Sequence, residues 1–175
     1  TAGADLAEIY GTMDTSIGAG DVVSLDSTLN AGVKKSDKVY DKNAIGIIST
    51  SPGLTTGTLD DPGAIAVLVA LSGRVPVKVS TENGPIMPGD LLTSSSTPGV
   101  AMRATKAGQI IGQAMTEFAG EGTGQVLAFV KNDYGNGAKL ADIVPGLVQD
   151  ATQPAANDAG KLALAQFISQ REQLA

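Results

Sequence analysis

The chain has no cysteine, no histidine and no tryptophan. Without Cys it can build no disulfide framework, thiolate nucleophile, zinc finger or iron–sulfur cluster. Without His there is no Ser-His-Asp triad, no HExxH zinc site and no imidazole base near neutral pH. Aromatic residues are 3 % and charged residues 17 %, against about 25 % charged in an average domain. A base-stacking or sugar-stacking surface is therefore thin. The formal charge is −6, the wrong sign for phosphate affinity, which comes from clustered Lys and Arg, so nucleic acid is not expected as a partner. The longest apolar run, Ile65 to Leu71, is a strand's length, whereas a helical membrane span needs about 18 residues. No membrane span and no cofactor are expected. Any enzyme here would work with Ser, Thr, Asp, Glu, Lys or Tyr alone, and the balance leans towards a structural or binding protein.

What is abundant is glycine, at 22 of 175 residues, well above the roughly 7 % of average domains. Apolar residues reach 42 %, enough for a core without disulfide or metal support. Low Cys with plentiful Ser, Thr, Asn and Gly is the composition of secreted bacterial and viral appendage proteins. An extracellular, cell-surface or virion location is expected. The opening at Thr1, without Met or a signal-peptide pattern, fits a processed product.

Residues 17 to 131 read as short apolar runs parted by Gly, Pro, Asn, Asp and Ser, the all-β pattern. The runs are Val22–Leu25, Ile45–Ile48, Ile65–Leu71, Val75–Val79, Leu91–Thr93, Val100–Arg103, Ile110–Met115 and Val126–Val130. Val75, Val77 and Val79 alternate with Pro76, Lys78 and Ser80, the period of a half-buried strand. Pro76 has no N–H for a ladder and predicts an edge or a bulge. Asn83-Gly84 predicts a tight hairpin, and Gly120-Glu121-Gly122 a turn before the last strand.

An internal repeat orders these runs. Gly20-Asp21-Val22-Val23-Ser24 recurs as Gly89-Asp90-Leu91-Leu92-Thr93, and Ser27-Thr28 as Ser96-Thr97 at the same offset. Lys34 and Ser36 then align with Arg103 and Thr105, and after a three-residue gap Ile45-Gly46 aligns with Ile111-Gly112. The expected fold is mainly β: a pseudo-two-fold, duplicated β-barrel or sandwich of short strands, with a short C-terminal helical extension. Residues 1–131 form the β-domain with its N-terminal arm. Residues 132–157 read as a turn-rich linker, with a short helix from Ala138 to Val144 stopped at Pro145-Gly146. Residues 158–175 read as an amphipathic helix, with Leu164, Phe167, Ile168 and Leu174 at i, i+3, i+4 and i+10. A helix this short needs a surface for its stripe, so these four residues are assembly candidates, on the chain's own barrel or on another copy.

The candidate sites are few. Asp5 and Glu8, in Ala4-Asp5-Leu6-Ala7-Glu8, would share a face on a helical turn and could form an acid/base pair. The plainer alternatives are a first-turn acidic pair favoured by the helix dipole, or a strand end with solvated carboxylates. Asp21 and Asp90 read as turn-holding residues; related by a two-fold they could instead converge on a cation. Asn132, Asp133 and Asn136 carry oxygen donors of the kind Ca²⁺ takes but lack the EF-hand spacing, and Asp60-Asp61 is similar, so no metal site is expected. Lys34, Lys35, Lys38 and Lys42 form either a solvated, lysine-protected strand edge or an anion patch. No phosphate-binding glycine loop is present.

An ordered set of segments carries a family resemblance. Ala4-Asp5-Leu6-Ala7-Glu8, Gly20-Asp21-Val22-Val23-Ser24, Tyr40-Asp41, Ile45–Ser49, Gly73–Val79 and Pro88–Leu92, within residues 4 to 131, resemble a β-rich terminal domain. Such domains end bacterial surface proteins and phage tail-fibre or neck-appendage proteins; the segment set is similar to the autoprocessing chaperone domains called peptidase G2. The resemblance implies a homo-oligomeric, often trimeric fibre, and a chaperone domain released by a cut near an Asp-x-Ala-Glu segment. Carried over, Asp5 and Glu8 would lie beside that cut. Ala4 stands where the resemblance implies a hydroxyl nucleophile, and Leu6 where it implies an aromatic. The expected function is a non-enzymatic structural subunit of an extracellular fibre, sheath or appendage, associating with copies of itself. The alternatives are a self-cleaving assembly domain and a glycan- or Ca²⁺-binding adhesin tip.

Overall fold

The computed structural model describes residues 4–136, and every regular element among them is a strand. In chain order these are β1 (Ala4–Thr12), β2 (Val22–Asp26), β3 (Gly32–Lys35), β4 (Ala44–Ile48) and β5 (Leu54–Thr56). Then follow β6 (Ile65–Ser80), β7 (Leu91–Ser94), β8 (Ala101–Arg103), β9 (Ala107–Ala114) and β10 (Thr123–Asn136). They form one mixed sheet in the order β10-β9-β7-β8-β6-β4-β2-β3-β1-β5, with extra pairings of β6 to both β10 and β1. Those two pairings curl the sheet into rings. β6-β4-β2-β3-β1 returns to β6, and so does β6-β10-β9-β7-β8. The all-β, barrel-like expectation holds. Each ring is joined at one point by a single parallel contact, Gly11 opposite Gly32 and Val79 opposite Ala101.

The repeat is visible hydrogen bond by hydrogen bond. Gly20 N donates to Ile48 O and Gly89 N to Ala114 O; Ile48 N returns to Asp21 O and Ala114 N to Asp90 O. Val22 and Val23 pair with Ile47 and Gly46, as Leu91 and Leu92 pair with Gln113 and Gly112. Thr28 N bonds Asp26 Oδ1, and Thr97 N bonds Ser95 Oγ, so the Ser/Thr turns also match. Close approach explains the Ile-Gly strands. A Cβ on Gly46 would lie 2.5 Å from Ala70 O, and one on Gly112 would lie 2.9 Å from Phe129 O. One alignment shifts. Lys35, not Lys34, is the position equivalent to Arg103, because Val23 pairs Lys35 where Leu92 pairs Arg103. The first β-connection is one residue longer than the second.

The apolar core follows the same plan. Val23, Val33, Ile48 and Val69 form one buried cluster, with Tyr10, Ile17, Ile45, Val67 and Leu71 packed against it. Their ladder equivalents Leu92, Ala101, Ala114 and Ala128 belong to the larger cluster, with Val75, Val77, Val79, Ile86 and Ile111. The larger cluster also takes Val22, Ala44, Ile47 and Ala70 from the first copy, so the two copies bury a shared core beside the smaller cluster.

Four expectations change. The runs Ile65–Leu71 and Val75–Val79 are one 16-residue strand, β6, because it serves both rings. The strand carrying Pro76 is consequently central rather than an edge. Pro76 is tolerated because β1 pairs β6 only as far as Arg74, while the next bond on that side is Lys78 N to Gly20 O. Asn83-Gly84 makes a turn, with Gly84 N on Thr81 O, but not a hairpin: β6 and β7 are not paired. Asn132 to Asn136, read as the start of a linker, is the end of β10, paired to β9 beyond an irregularity between Val130 and Asp133. The expected helices, the linker from residue 137 onward and the stripe Leu164, Phe167, Ile168 and Leu174 lie outside the described residues.

Candidate functional site

Two clefts flank β1, and its alternation sends one acidic residue to each. β1 is extended and pairs β6 from Ala4–Arg74 to Thr12–Ile65, so the helical-turn reading of Asp5 and Glu8 is corrected. Three residues along a strand span about 10 Å and end on the opposite face. Asp5 and Ala7 are buried while Leu6 is exposed and Glu8 half-buried. Asp5 and Glu8 accordingly line different clefts and do not form a pair. The solvated-carboxylate alternative also fails for Asp5, which is 7 % exposed.

The larger cleft, about 510 Å³, lies between β1, the β2–β3 connection and the segment after β5. Glu8, Tyr10, Asp26, Asn30, Thr58 and Asp60 give it its polar chemistry. Tyr10 OH donates to Glu8 Oε2 at 3.0 Å. Burial, and then that hydrogen bond, push the phenol above its ordinary value. Asp26 Oδ1 accepts Thr28 N at 3.0 Å and Thr28 Oγ1 at 2.8 Å, which hold its carboxyl below the ordinary value. Asp61, buried behind this cleft, accepts Asn30 N, Asn30 Nδ2 and Ala31 N at 3.1 to 3.2 Å. It latches two loops together.

The smaller cleft, about 380 Å³, gathers Asp5 from β1, Gly20 from the first Gly-Asp turn, Ser49 to Ser51 after β4, Arg74 from β6 and Gln125 from β10. Asp5 Oδ2 is buried there without a hydrogen-bond partner.

The remaining candidates are structural in their contacts. Asp21 Oδ2 accepts Gly18 N at 2.8 Å, and Asp90 Oδ2 accepts Met87 N at 2.8 Å, the same turn twice. The two glycines before them have φ of +76° and +95°, which a side chain would disfavour. Asp21 is also neutralised by Lys78 at 2.6 Å and Lys35 at 3.4 Å. Of the lysine cluster, Lys35 is thereby occupied, while Lys34, Lys38 and Lys42 are exposed. The loop carrying Lys38 is tied to the second copy: Ser94 Oγ donates to Lys38 O, and Tyr40 OH accepts Thr105 N and Lys106 N. Asn132 directs its amide to Ile45 O, and Asp133 pairs with Lys131 at 3.4 Å. Asn136 is the last paired residue of β10. Among the described residues no group of three or more acidic side chains is placed to hold a metal ion.

Tyr10, Asn30, Arg74 and Gln125 were not singled out from sequence. Tyr10 meets Glu8 two residues away, a contact that only the extended strand reveals, and Asn30 meets Asp61 31 positions away across two loops. Arg74 and Gln125 come together only because β6 pairs β10.

Neither protein-family models nor curated proteins give a match to this chain. Among solved structures, the pre-mature form of bacteriophage phi29 gene product 12 is similar at 18 % identity and a TM-score of 0.53, over 75 % of this chain. The match spans 22 % of that longer chain. The C-terminal fragment of the same phi29 protein is similar at 19 % identity and a TM-score of 0.52, over 73 % of this chain and all of the fragment. At these identities the likeness is one of fold: this chain shares the β-fold of a phage protein's C-terminal fragment.

Proposed function

We propose that the chain is a non-enzymatic assembly domain of a virion or surface appendage, working as a homo-oligomer. The observation that supports this most is the fold shared with the whole of the phi29 C-terminal fragment. Composition is in keeping with it: no His or Cys for catalysis, low charge, and turns built from Gly, Ser, Thr and Asp. Light scattering and electron microscopy on the purified chain test the reading. Discrete oligomers or fibres are expected, and a species that stays monomeric at every concentration would contradict it.

A second reading, self-cleavage near Asp5, is favoured by one observation: a buried carboxylate oxygen without a partner at the start of the domain. The neighbour's description as pre-mature points the same way. Against it, Glu8 sits on the other face of β1, and Ala4 offers no hydroxyl. Its test is a longer chain carrying the natural upstream residues. Mass spectrometry would find a new terminus at Thr1 or Asp5, abolished by Glu8→Gln, if the reading holds; an uncut chain ends it.

A further inference from the structure

The strand register lays out an exposed sheet face beside the smaller cleft. Arg74 of β6 is opposite Ala4 of β1 on one side and Phe129 of β10 on the other. Phe129 in turn is opposite Gln113 of β9, and Gln113 is opposite Leu91 of β7. Directly opposed residues of antiparallel strands project from the same face, so these five form one row across five strands. One pleat along, Pro76 is opposite Leu127, and Met115 N bonds Leu127 O, which adds a second row. Val75, Ala114 and Ala128, between the rows, are buried, so both rows face outward. Phe129, one of three phenylalanines in the chain, is 44 % exposed in the middle of this sheet. Arg74 is exposed next to it. Its guanidinium pairs with no acid and lies over no aromatic ring among the described residues.

We infer that this face is where one copy of the chain meets the next, sheet against sheet, with Arg74 of one copy over the Phe129 ring of the other. The inference rests on the self-association reading and names its surface. Charge selects a second copy as the occupant. At a formal charge of −6, two copies repel wherever their acids meet, yet the two rows hold no carboxylate and a single cation. A nucleic acid or an anionic membrane would need several cations on the face. A second copy needs none beyond Arg74, because the face is complementary to itself. Turning one copy over the other about an axis along the strands, between β6 and β10, sets Arg74 opposite Phe129 and Pro76 opposite Leu127. The guanidinium then meets the negative face of an aromatic ring, and the apolar side chains around it exclude water. Sheets packed face to face stand about 10 Å apart, within reach of two long side chains. Arg and aromatic residues are the usual anchors of such contacts.

The test is sedimentation velocity on the full chain and on two variants, Phe129→Thr and Arg74→Glu. Val39→Thr, exposed on the β3–β4 connection, is the control. Phe129→Thr and Arg74→Glu should each raise the dissociation constant of the oligomer about tenfold or more, the effect of losing an interface anchor. Val39→Thr should leave it unchanged. Position is read separately. The chain has no cysteine, so a chain carrying Arg74→Cys can be mixed with one carrying Phe129→Cys and treated with a short bis-maleimide. The mixture should cross-link more than either chain alone, and this readout serves if Phe129→Thr or Arg74→Glu does not fold. Folded variants that associate as the unaltered chain does, or a mixture that cross-links no better than its parts, would overturn the inference and leave the self-association reading standing. An unaltered chain that stays monomeric throughout would remove that reading and this inference with it.

Discussion

Asp21 and Asp90 hold the same turn in the two copies but sit in different surroundings, which makes each a control for the other. Asp21 is 1 % exposed and meets two lysines; Asp90 is half-buried and meets only its own turn. Asp21→Asn keeps the acceptor for Gly18 N but loses both charged partners. It should cost about 1.5–3 kcal/mol, towards the lower end because Lys78 is partly solvated. Asp90→Asn should stay within about 0.5 kcal/mol. Urea unfolding of the two variants checks the difference; equal losses would contradict it. Tyr10 gives a pH dependence. Its phenol is raised above the ordinary 10.0 by burial and by Glu8, so the unfolded chain loses that proton first. The stabilisation is present below pH 10 and lost as pH rises through the folded value. Tyr10→Phe should flatten the alkaline decline in stability. Asp14 and Asp26 act with the opposite sign: hydrogen bonds from Ser16 and Thr28 lower their carboxyls, so their contribution is present above the ordinary 3.8 and lost as pH falls.

Among the elements, β6 carries the design. It is the one strand common to both rings, so opening either ring must break its ladder. In native-state hydrogen exchange the amides of Val75, Val77, Lys78 and Val79 should be among the slowest. Those of β5 (Leu54–Thr56), exposed at the end of the sheet, should be among the fastest. Comparable protection in both would contradict the two-ring topology. The same elements show what sequence patterning can convey. β2 and β7 were legible because a Gly-Asp turn precedes an apolar run, and β4 and β9 because each carries an Ile-Gly pair, with each motif occurring twice. β1 was ambiguous, since Ala, Leu and Glu fit a helix locally and only pairing to β6 decides. β5 was invisible: Leu54, Thr55 and Thr56 have no buried face to pattern. Gly73-Arg74 looked like a break between two strands, whereas Gly73 is a close approach, with β1 backbone against it. The clefts were illegible for a different reason. Asp5, Arg74 and Gln125 carry no shared motif, and ring closure alone assembles them.

At the scale of the whole molecule, the scarcity of charge and of aromatic residues is a consequence of the architecture. Two small rings have little interior, and Val, Ile and Ala fill it while Gly, Ser and Thr build the many turns. What such a body does well is present a fixed surface. The exposed apolar residues Leu6, Leu25, Leu54, Ile65, Met115 and Phe129 on a weakly charged exterior are in keeping with contact to further copies. Self-association is therefore the central claim. Sedimentation velocity of the full chain over a wide concentration range measures it directly. The account predicts a defined oligomer whose population rises with concentration; a single monomeric boundary throughout would contradict it.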